Sequence, residues 1–322
     1  MKTIGLVSAA VWLAALLAGQ ATAQIWPAKP VKVMIPNGPG GAPDLIARMW
    51  AERMSRGFGQ SFVVENNPAG AGLLAPQAAA KSPPDGYTFL FGSIVSLATN
   101  AHAYKSIPYD PARDFAAVGM LVDVSPLAIV VHPELPVKTL QELIAMAKAQ
   151  PGKLSFAADL GFPGVVGRWM NKMAGTDIVH VPYKLVASSL QDVVSGRVPL
   201  LIMSPAPVQP FIKSGKLRYL ALTSRKRFSG MEEVAASEES LPGFNAEAWF
   251  CVVAPAGTPQ EIVQRLNRET DLFTKQADVV AKLRSLALDT NGAGTPQSTA
   301  DFIRSERERW GRIMKEVGIE PQ

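Results

Sequence analysis

The chain alternates short apolar runs with longer segments whose apolar residues recur at helical spacing. Val31–Ile35 is a compact apolar run that stops at the breaker cluster Pro36-Asn37-Gly38-Pro39-Gly40-Gly41. Beyond it Ile46, Met49, Trp50 and Met54 return every three or four residues, the signature of one buried helix face. Residues 62–64 and 87–91 read as further strands, each followed by a turn and another element. Strands alternating with helices predict mostly parallel sheets covered on both faces.

The second half repeats the pattern. Residues 127–131, 154–157, 178–181, Leu200–Met203 and 219–223 read as strands with helical segments between them. Thr139 opens a helix, with Glu142 placed to close a capping box and Leu140, Leu143, Ile144 and Ala147 on one face. Thr258-Pro259-Gln260-Glu261 supplies an N-cap, a proline at the first helical position and a capping-box glutamate. Thr295-Pro296 opens a last helix that stops near Gly318. No repeat or low-complexity linker interrupts the chain, so domain borders must follow from topology.

The first segment fits neither pattern. Lys2 precedes an apolar stretch over 4–17, and Ala21-Thr22-Ala23 offers the small residues a signal peptidase reads. Residues 1–23 are therefore expected to be a cleavable export signal, shorter than the roughly 20 apolar residues of a membrane anchor. No cysteine lies near the junction for lipid attachment, and the mature chain is expected in the periplasm. A length of 322 residues suggests about two domains. The 48% hydrophobic and 18% charged shares suit a chain with ample core and exclude disorder. Removing Lys2 with the leader lowers the formal charge from +5 to +4. The densest basic cluster, Arg225-Lys226-Arg227, is short and without interleaved aromatics, which argues against nucleic acid as a partner. The single cysteine, Cys251, has no partner for an internal disulfide and, between Phe250 and Val252, reads as a buried inert thiol.

Two loops carry candidate chemistry. Gly38, Pro39, Gly40, Gly41 and Ala42 lie between a strand and a helix, where glycines let the backbone approach a ligand and the helix start offers free N–H groups. The same stretch also reads as a tight turn with Asp44 capping the helix. A similar arrangement recurs at Asp159-Leu160-Gly161-Phe162-Pro163-Gly164, and two such loops, one in each half, suggest the two walls of a cleft. Gly70-Ala71-Gly72-Leu73-Leu74-Ala75 matches the G-x-G-x-x-A dinucleotide pattern poorly. Pro76 falls in the first turns of the next helix, and Asp85 sits in a turn rather than at a strand end. His102, His132 and His180 are widely separated, without metal-ligand spacing, and the latter two read as structural. No G-x-S-x-G elbow, Walker loop or H-E-x-x-H occurs, which lowers an enzyme reading.

A series of ordered motifs resembles one family. Residues 36–44 resemble P-x-x-x-G-G-x-x-D, and Val64-Glu65-Asn66-Asn67-Pro68-Ala69-Gly70 resembles V-E-N-R-P-G-A. Asp85-Gly86-Tyr87-Thr88, Pro108-Tyr109-Asp110-Pro111 with Asp114-Phe115, Val181-Pro182-Tyr183-Lys184 and Gly215-Lys216-Leu217-Arg218 follow in order. Leu241-Pro242-Gly243-Phe244, Trp249-Phe250 and Ala254-Pro255-Ala256-Gly257-Thr258-Pro259 complete the series. Over nearly the whole mature chain the sequence is similar to the substrate-binding proteins of tripartite tricarboxylate transporters, the Bug-type periplasmic receptors. The resemblance implies an α/β, two-lobed periplasmic binding protein fold of type II. Each lobe would be a mostly parallel sheet flanked by helices, with two hinge crossovers. Lobe 1 is expected at 24–123 plus 248–322 and lobe 2 at 124–247. The resemblance also implies a binder rather than an enzyme, with no cofactor and no metal. Such a receptor, expected as a monomer, holds a solute carboxylate between the glycine loops. It would serve the membrane permease subunits of a tripartite transporter or a sensor kinase.

Departures from the family bear on the solute. The second-lobe loop is shorter, with Gly164 where a His usually falls. Leu185 stands where a glycine follows V-P-Y-K, and Met203 with Ser204 replaces a common aspartate. The expected site is thus Gly38 to Ala42, Ser93 and Ser96 in lobe 1, with the backbone of Gly161, Phe162, Pro163 and Gly164 and the Tyr183 side chain in lobe 2. Phe162, Leu185 and Met203 would face the apolar or aromatic body of a monocarboxylate. Arg168 reads either as a surface residue or as the partner of a second carboxylate.

Overall fold

In the computed structural model, which describes residues 26–321, ten strands fall into two five-stranded sheets. The expected export signal lies outside the described residues. The strands are β1 (Val31–Ile35), β2 (Phe62–Asn66), β3 (Thr88–Ser93), β4 (Phe115–Pro126) and β5 (Ala128–Val131). They continue with β6 (Ser155–Ala158), β7 (Val179–Pro182), β8 (Leu200–Met203), β9 (Arg218–Leu222) and β10 (Glu247–Pro255). The first sheet runs β2-β1-β3-β10-β4 and the second β7-β6-β8-β5-β9.

The two sheets share one plan. In the first, β1 pairs parallel with β2 and β3, while β10 is antiparallel to β3 and β4. In the second, β6 pairs parallel with β7 and β8, while β5 is antiparallel to β8 and β9. Four strands of each sheet thus run one way, as expected of mostly parallel sheets, and one reversed strand, β10 or β5, makes each sheet mixed. The cause is the traffic between lobes. β4 leaves the first sheet and β10 returns to it, β5 enters the second and β9 leads out, and neighbours carrying opposite traffic must be antiparallel.

Both crossings meet at Thr223, which is fully buried. Its hydroxyl accepts from Leu127 N–H at 2.8 Å and donates to Ala246 O at 2.7 Å. Its N–H donates to Leu127 O at 2.8 Å, and its carbonyl accepts from Ala246 N–H at 2.8 Å. One residue thereby satisfies backbone groups of both passages, groups that would cost about 1–3 kcal/mol each if buried unpaired.

Packing follows the strand period of two. Phe89 and Phe91 of β3 point to one side of the first sheet, into a core with Trp50 of the helix Ala42–Phe58 and with Leu266 and Phe273 of the helix Gln260–Thr274. Leu90 points to the opposite core, shared with Leu97, Trp249 and Trp310. That second core runs on into the other lobe through the C-terminal helix Pro296–Glu316. There Trp310 meets Phe162 edge-on at 4.8 Å and Trp169 at 5.7 Å, both on the second-lobe helix Phe162–Ala174. Arg309 lies over Trp169 and Trp310 and donates to Asn245 Oδ1 at 2.9 Å. Glu306 accepts from both indoles, Trp310 Nε1 at 3.0 Å and Trp249 Nε1 at 3.3 Å.

The helix punctuation largely matches the sequence. Thr139 caps the helix Leu140–Ala149 with the expected box, and Thr295 caps the last helix. Thr258 differs: its hydroxyl donates to Pro255 O at 2.7 Å, and the helix starts at Gln260 without that capping box. Thr258 therefore sits one residue ahead of the cap position, which Pro259 occupies. Cys251 is fully buried on β10, and burial pushes its thiol pKa up, as expected of an inert side chain. No helix among the described residues is long and apolar enough to cross a membrane.

Candidate solute-binding cleft

The C-terminal ends of the parallel strands in both sheets carry the loops singled out from the sequence, the place where open α/β sheets hold ligands. After β1, the chain turns through residues 36–41 into the helix Ala42–Phe58. Gly41 is the N-cap with no side-chain cap, and Pro43 fills the first turn. Pro39, Gly40 and Gly41 are exposed, and Gly38 and Ala42 are partly so. Gly40 adopts φ +87, a conformation that disfavours any side chain. A Cβ added at Gly38 or Gly40 would meet nothing within 4 Å, so this loop faces open space.

Asp44 fastens the loop from behind. Its carboxylate, nearly buried, accepts from Gly40 N–H at 2.9 Å, Arg48 Nε at 3.0 Å and Asn66 Nδ2 at 2.8 Å. The turn is braced, but Asp44 does not cap the helix, whose N-cap is Gly41 without a side-chain bond; among the described residues the N–H groups of Gly41 and Ala42 meet no protein acceptor. Arg48 offsets the Asp44 charge, leaving the peptide dipoles to act on an incoming anion. Burial pushes the Asp44 pKa up, but the bonds from Arg48, Gly40 and Asn66 outweigh it and hold the carboxyl at about 2. A folded-state value below the unfolded one contributes stability that is complete above about pH 4 and lost as pH falls toward 2. The stability gap between the protein and Asp44→Asn is accordingly expected to shrink by roughly 2 kcal/mol between pH 5 and pH 2, read from urea unfolding. A gap independent of pH would refute this account of the loop.

In the second lobe, β6 leads through Asp159, Leu160 and Gly161 into the helix Phe162–Ala174. Gly161 is its N-cap and donates its N–H to Asp159 Oδ1 at 2.8 Å, while Pro163 sits in the first turn. Gly164 is held in contact with this loop: an added Cβ would lie 2.3 Å from Asp159 O and 2.8 Å from His180 Cε1. The His180 ring therefore occupies the space beside Gly164. It stacks on Phe156 at 4.7 Å, and its Nε2–H donates to Ala158 O at 3.3 Å. Burial first, then the charge of Arg168, lowers its pKa, so the ring is neutral at neutral pH.

The other expected site residues divide. Ser93 and Ser96, after β3, are buried and bonded to each other's groups: Ser96 Oγ accepts from Ser93 N–H at 3.0 Å and donates to Ser93 O at 3.2 Å. Val95 between them is the exposed one. Tyr183 is half-buried, and its hydroxyl donates to Asp192 Oδ2 at 2.6 Å; burial and that bond raise its pKa to about 12. Leu185 is exposed at the start of the helix Val186–Val194. Met203 is buried among Val130, Leu201 and Val208, whereas Ser204 is exposed at the next helix start. Phe162 is buried against Trp310.

A cavity of about 390 Å³ joins the two lobes. Gly161, Phe162, Gly164, Arg168 and His180 wall it from one side, and Ala71, Val95, Asn100 and Met314 from the other. None of its lining residues is acidic. Wider depressions of about 640 and 630 Å³ lie elsewhere, each built from one lobe alone. Val95, Leu160 and His180 were not expected from the sequence as cleft residues. The signal that would have found Val95 and Leu160 is position, just past the ends of β3 and β6; His180 lies within β7 and had no such signal. The exposed apolar residues Leu74, Val95, Leu160, Leu185 and Val186 all sit on such connections. Ala71, with Gly70 and Gly72, has a positive φ, so the G-x-G-x-x-A match is a tight turn and not a helix start.

Known proteins share this architecture. The family model described as "Tripartite tricarboxylate transporter family receptor" matches residues 46–319. The chain is 34% identical to a UPF0065 protein of Bordetella bronchiseptica, over 96% of this chain and 92% of that protein. It is 34% identical to Protein BugT of Bordetella pertussis, over 94% and 93%. The solved structure of R. palustris Rpa4515 with adipate is 36% identical, with a TM-score of 0.81 over 92% of this chain and 100% of that one. MatC from Rhodopseudomonas palustris with bound malate is 26% identical, with a TM-score of 0.75 over 89% and 99%. Sheet plan and these matches agree: the chain belongs to the tripartite tricarboxylate transporter receptor family, the TctC or Bug-type periplasmic solute-binding proteins.

Proposed function

We propose that this protein is exported to the periplasm, captures a small organic carboxylate between its lobes and delivers it to a membrane permease. The observation that carries the reading is the two-sided cavity, walled by a helix-start loop and free of acidic side chains. Rpa4515 with adipate and MatC with malate lend support, since both similar receptors hold small carboxylates. Lobe 1 is 24–123 plus 248–322, lobe 2 is 124–247, and bending at the Thr223 junction closes them. Solute touches one lobe first; the second completes the contacts and excludes water, and closure is driven only by the higher affinity of the closed form.

The anion is taken by backbone N–H groups at Gly41 and Ala42, with the loop at Gly161 to Gly164 facing it. The solute body lies on the exposed apolar residues Val95, Leu160 and Leu185. A thermal-shift screen over aliphatic, aromatic and hydroxylated carboxylates tests this. A solute at a hundredfold excess over its Kd adds about 2.7 kcal/mol to the folded state, enough to raise Tm by several degrees. Absence of any shift across the panel, or turnover of a shifted compound, would overturn the proposal.

A further inference from the structure

We infer that residues 286–291 form a third tie between the lobes, a strap that limits how far they separate and so sets how readily the cleft closes. The two passages that meet at Thr223 are the connections expected of the fold, and the strap is separate from both. It governs how the lobes move, whatever the solute.

The helix Ala277–Ser285 ends in a tight turn, in which Leu288 N–H donates to Leu283 O at 3.0 Å and Ala287 N–H to Arg284 O at 3.0 Å. This pair of bonds puts Ala287 at the left-handed position of a Schellman cap, with φ +57. Glycine is the usual occupant there, because a Cβ in that conformation costs free energy. The helices Ala42–Phe58 and Phe162–Ala174 do end on glycines, Gly59 and Gly175, where an added Cβ would meet nothing within 4 Å. Ala287 is instead fully buried. It belongs to the second-lobe core with Val130, Phe228, Met231 and Val234, and every other buried member of that core lies within 124–247. Its neighbours point the other way: Leu288 is buried in the first-lobe core, and Leu286 packs against that same core. Three consecutive residues thus root the chain in both lobes.

The strap is also stitched to the passage where β4 leaves the first sheet. Asp289 N–H donates to Val124 O at 2.9 Å, and Asp289 O accepts from Val124 N–H at 3.3 Å. Further on, the Asp123 carboxylate accepts from Asn291 N–H at 3.0 Å and from Asn291 Nδ2. Arg284 Nε donates to Asp289 Oδ2 at 3.2 Å and steadies the bend between them. A second lobe that swings wide must draw Ala287 out of its own core or Leu288 out of the other. Either move exposes apolar surface. The strap therefore disfavours wide-open forms, and more of the free protein stays near the binding-competent one. An alanine suits this role: glycine would make the better cap but leave no methyl in the second lobe.

Double electron–electron resonance between spin labels at Lys81→Cys and Lys213→Cys, one on the surface of each lobe, reads their separation; Cys251 is fully buried and takes no label. Without solute, the parent is expected to give one narrow distance distribution. Ala287→Gly relieves the backbone and should unfold in urea much as the parent does, yet its distances are expected to broaden toward longer values. Its affinity for the carboxylate with the largest thermal shift is expected to fall about fivefold. Asn291→Ala, which frees the far end of the strap from Asp123, should act in the same direction. A residue that only caps its helix would leave the distances unmoved. A broad distribution in the parent, or parent-like distances in both variants, overturns the inference. So does a change in distances or in affinity without the other. Failure of every carboxylate to bind sinks the receptor reading and leaves the distances to decide the strap.

Discussion

Replacing Trp310 by alanine is expected to cost about 3–5 kcal/mol of unfolding free energy, the range for a large aromatic removed from a packed core. The indole is fully buried and touches Phe162 and Trp169 of the other lobe, with Arg309 over its face. Its Nε1–H donates to Glu306, which is itself nearly buried and would keep only Trp249 and Arg309 as partners. Truncation thus opens a void and strips a hydrogen bond from a buried carboxylate, and the two losses act together. Trp310→Phe keeps the edge-on contacts and should recover more than half of the loss. Urea unfolding measures both; a loss below about 1 kcal/mol for the alanine variant would mean that the C-terminal helix does not hold the lobes as described.

Gly164→Ala is expected to weaken solute binding about a hundredfold, because a displacement near 1 Å in a positioned site costs that much. The new methyl would stand 2.3 Å from Asp159 O, a backbone atom that can move only with the whole loop over Asp159 to Gly161. Stability should fall by only about 1–3 kcal/mol, the usual cost of overpacking. Gly57→Ala is the control, since it adds the same methyl away from the cavity, where only the side-chain ends of Arg53 and Glu269 stand close. Calorimetry with the carboxylate that gives the largest thermal shift separates the two. Parent-like affinity in Gly164→Ala would remove the second-lobe loop from the site.

Much of this was visible in the order of apolar and polar residues. Val31–Ile35 and Leu200–Met203 are strands with the limits the pattern suggests, because both are interior apolar runs of their sheets, broken only by the exposed Lys32. The two longest strands, β4 and β10, were not legible. They pair through three register shifts, cross between lobes and include Gly119 and Asp123 at one and Glu247 at the other, so no clean alternation survives. The glycine loops stood out because breakers punctuate a strand-to-helix passage. Side-chain direction did not: within residues 93–96 only the fold decides that both serines turn inward and Val95 outward. Nor could spacing reveal that Met203 joins the core or that His180, far downstream in sequence, fills the space beside Gly164.

The knot of bonds around Thr223 has a mechanical consequence. Because the outgoing and returning passages are stitched to the same residue, they can neither slide past each other nor splay apart one at a time. Any movement of one lobe against the other must then carry both passages together, like pages sewn to one spine. A partner that shuts such a device surrenders little disorder in doing so, and the affinity it could reach is correspondingly less taxed.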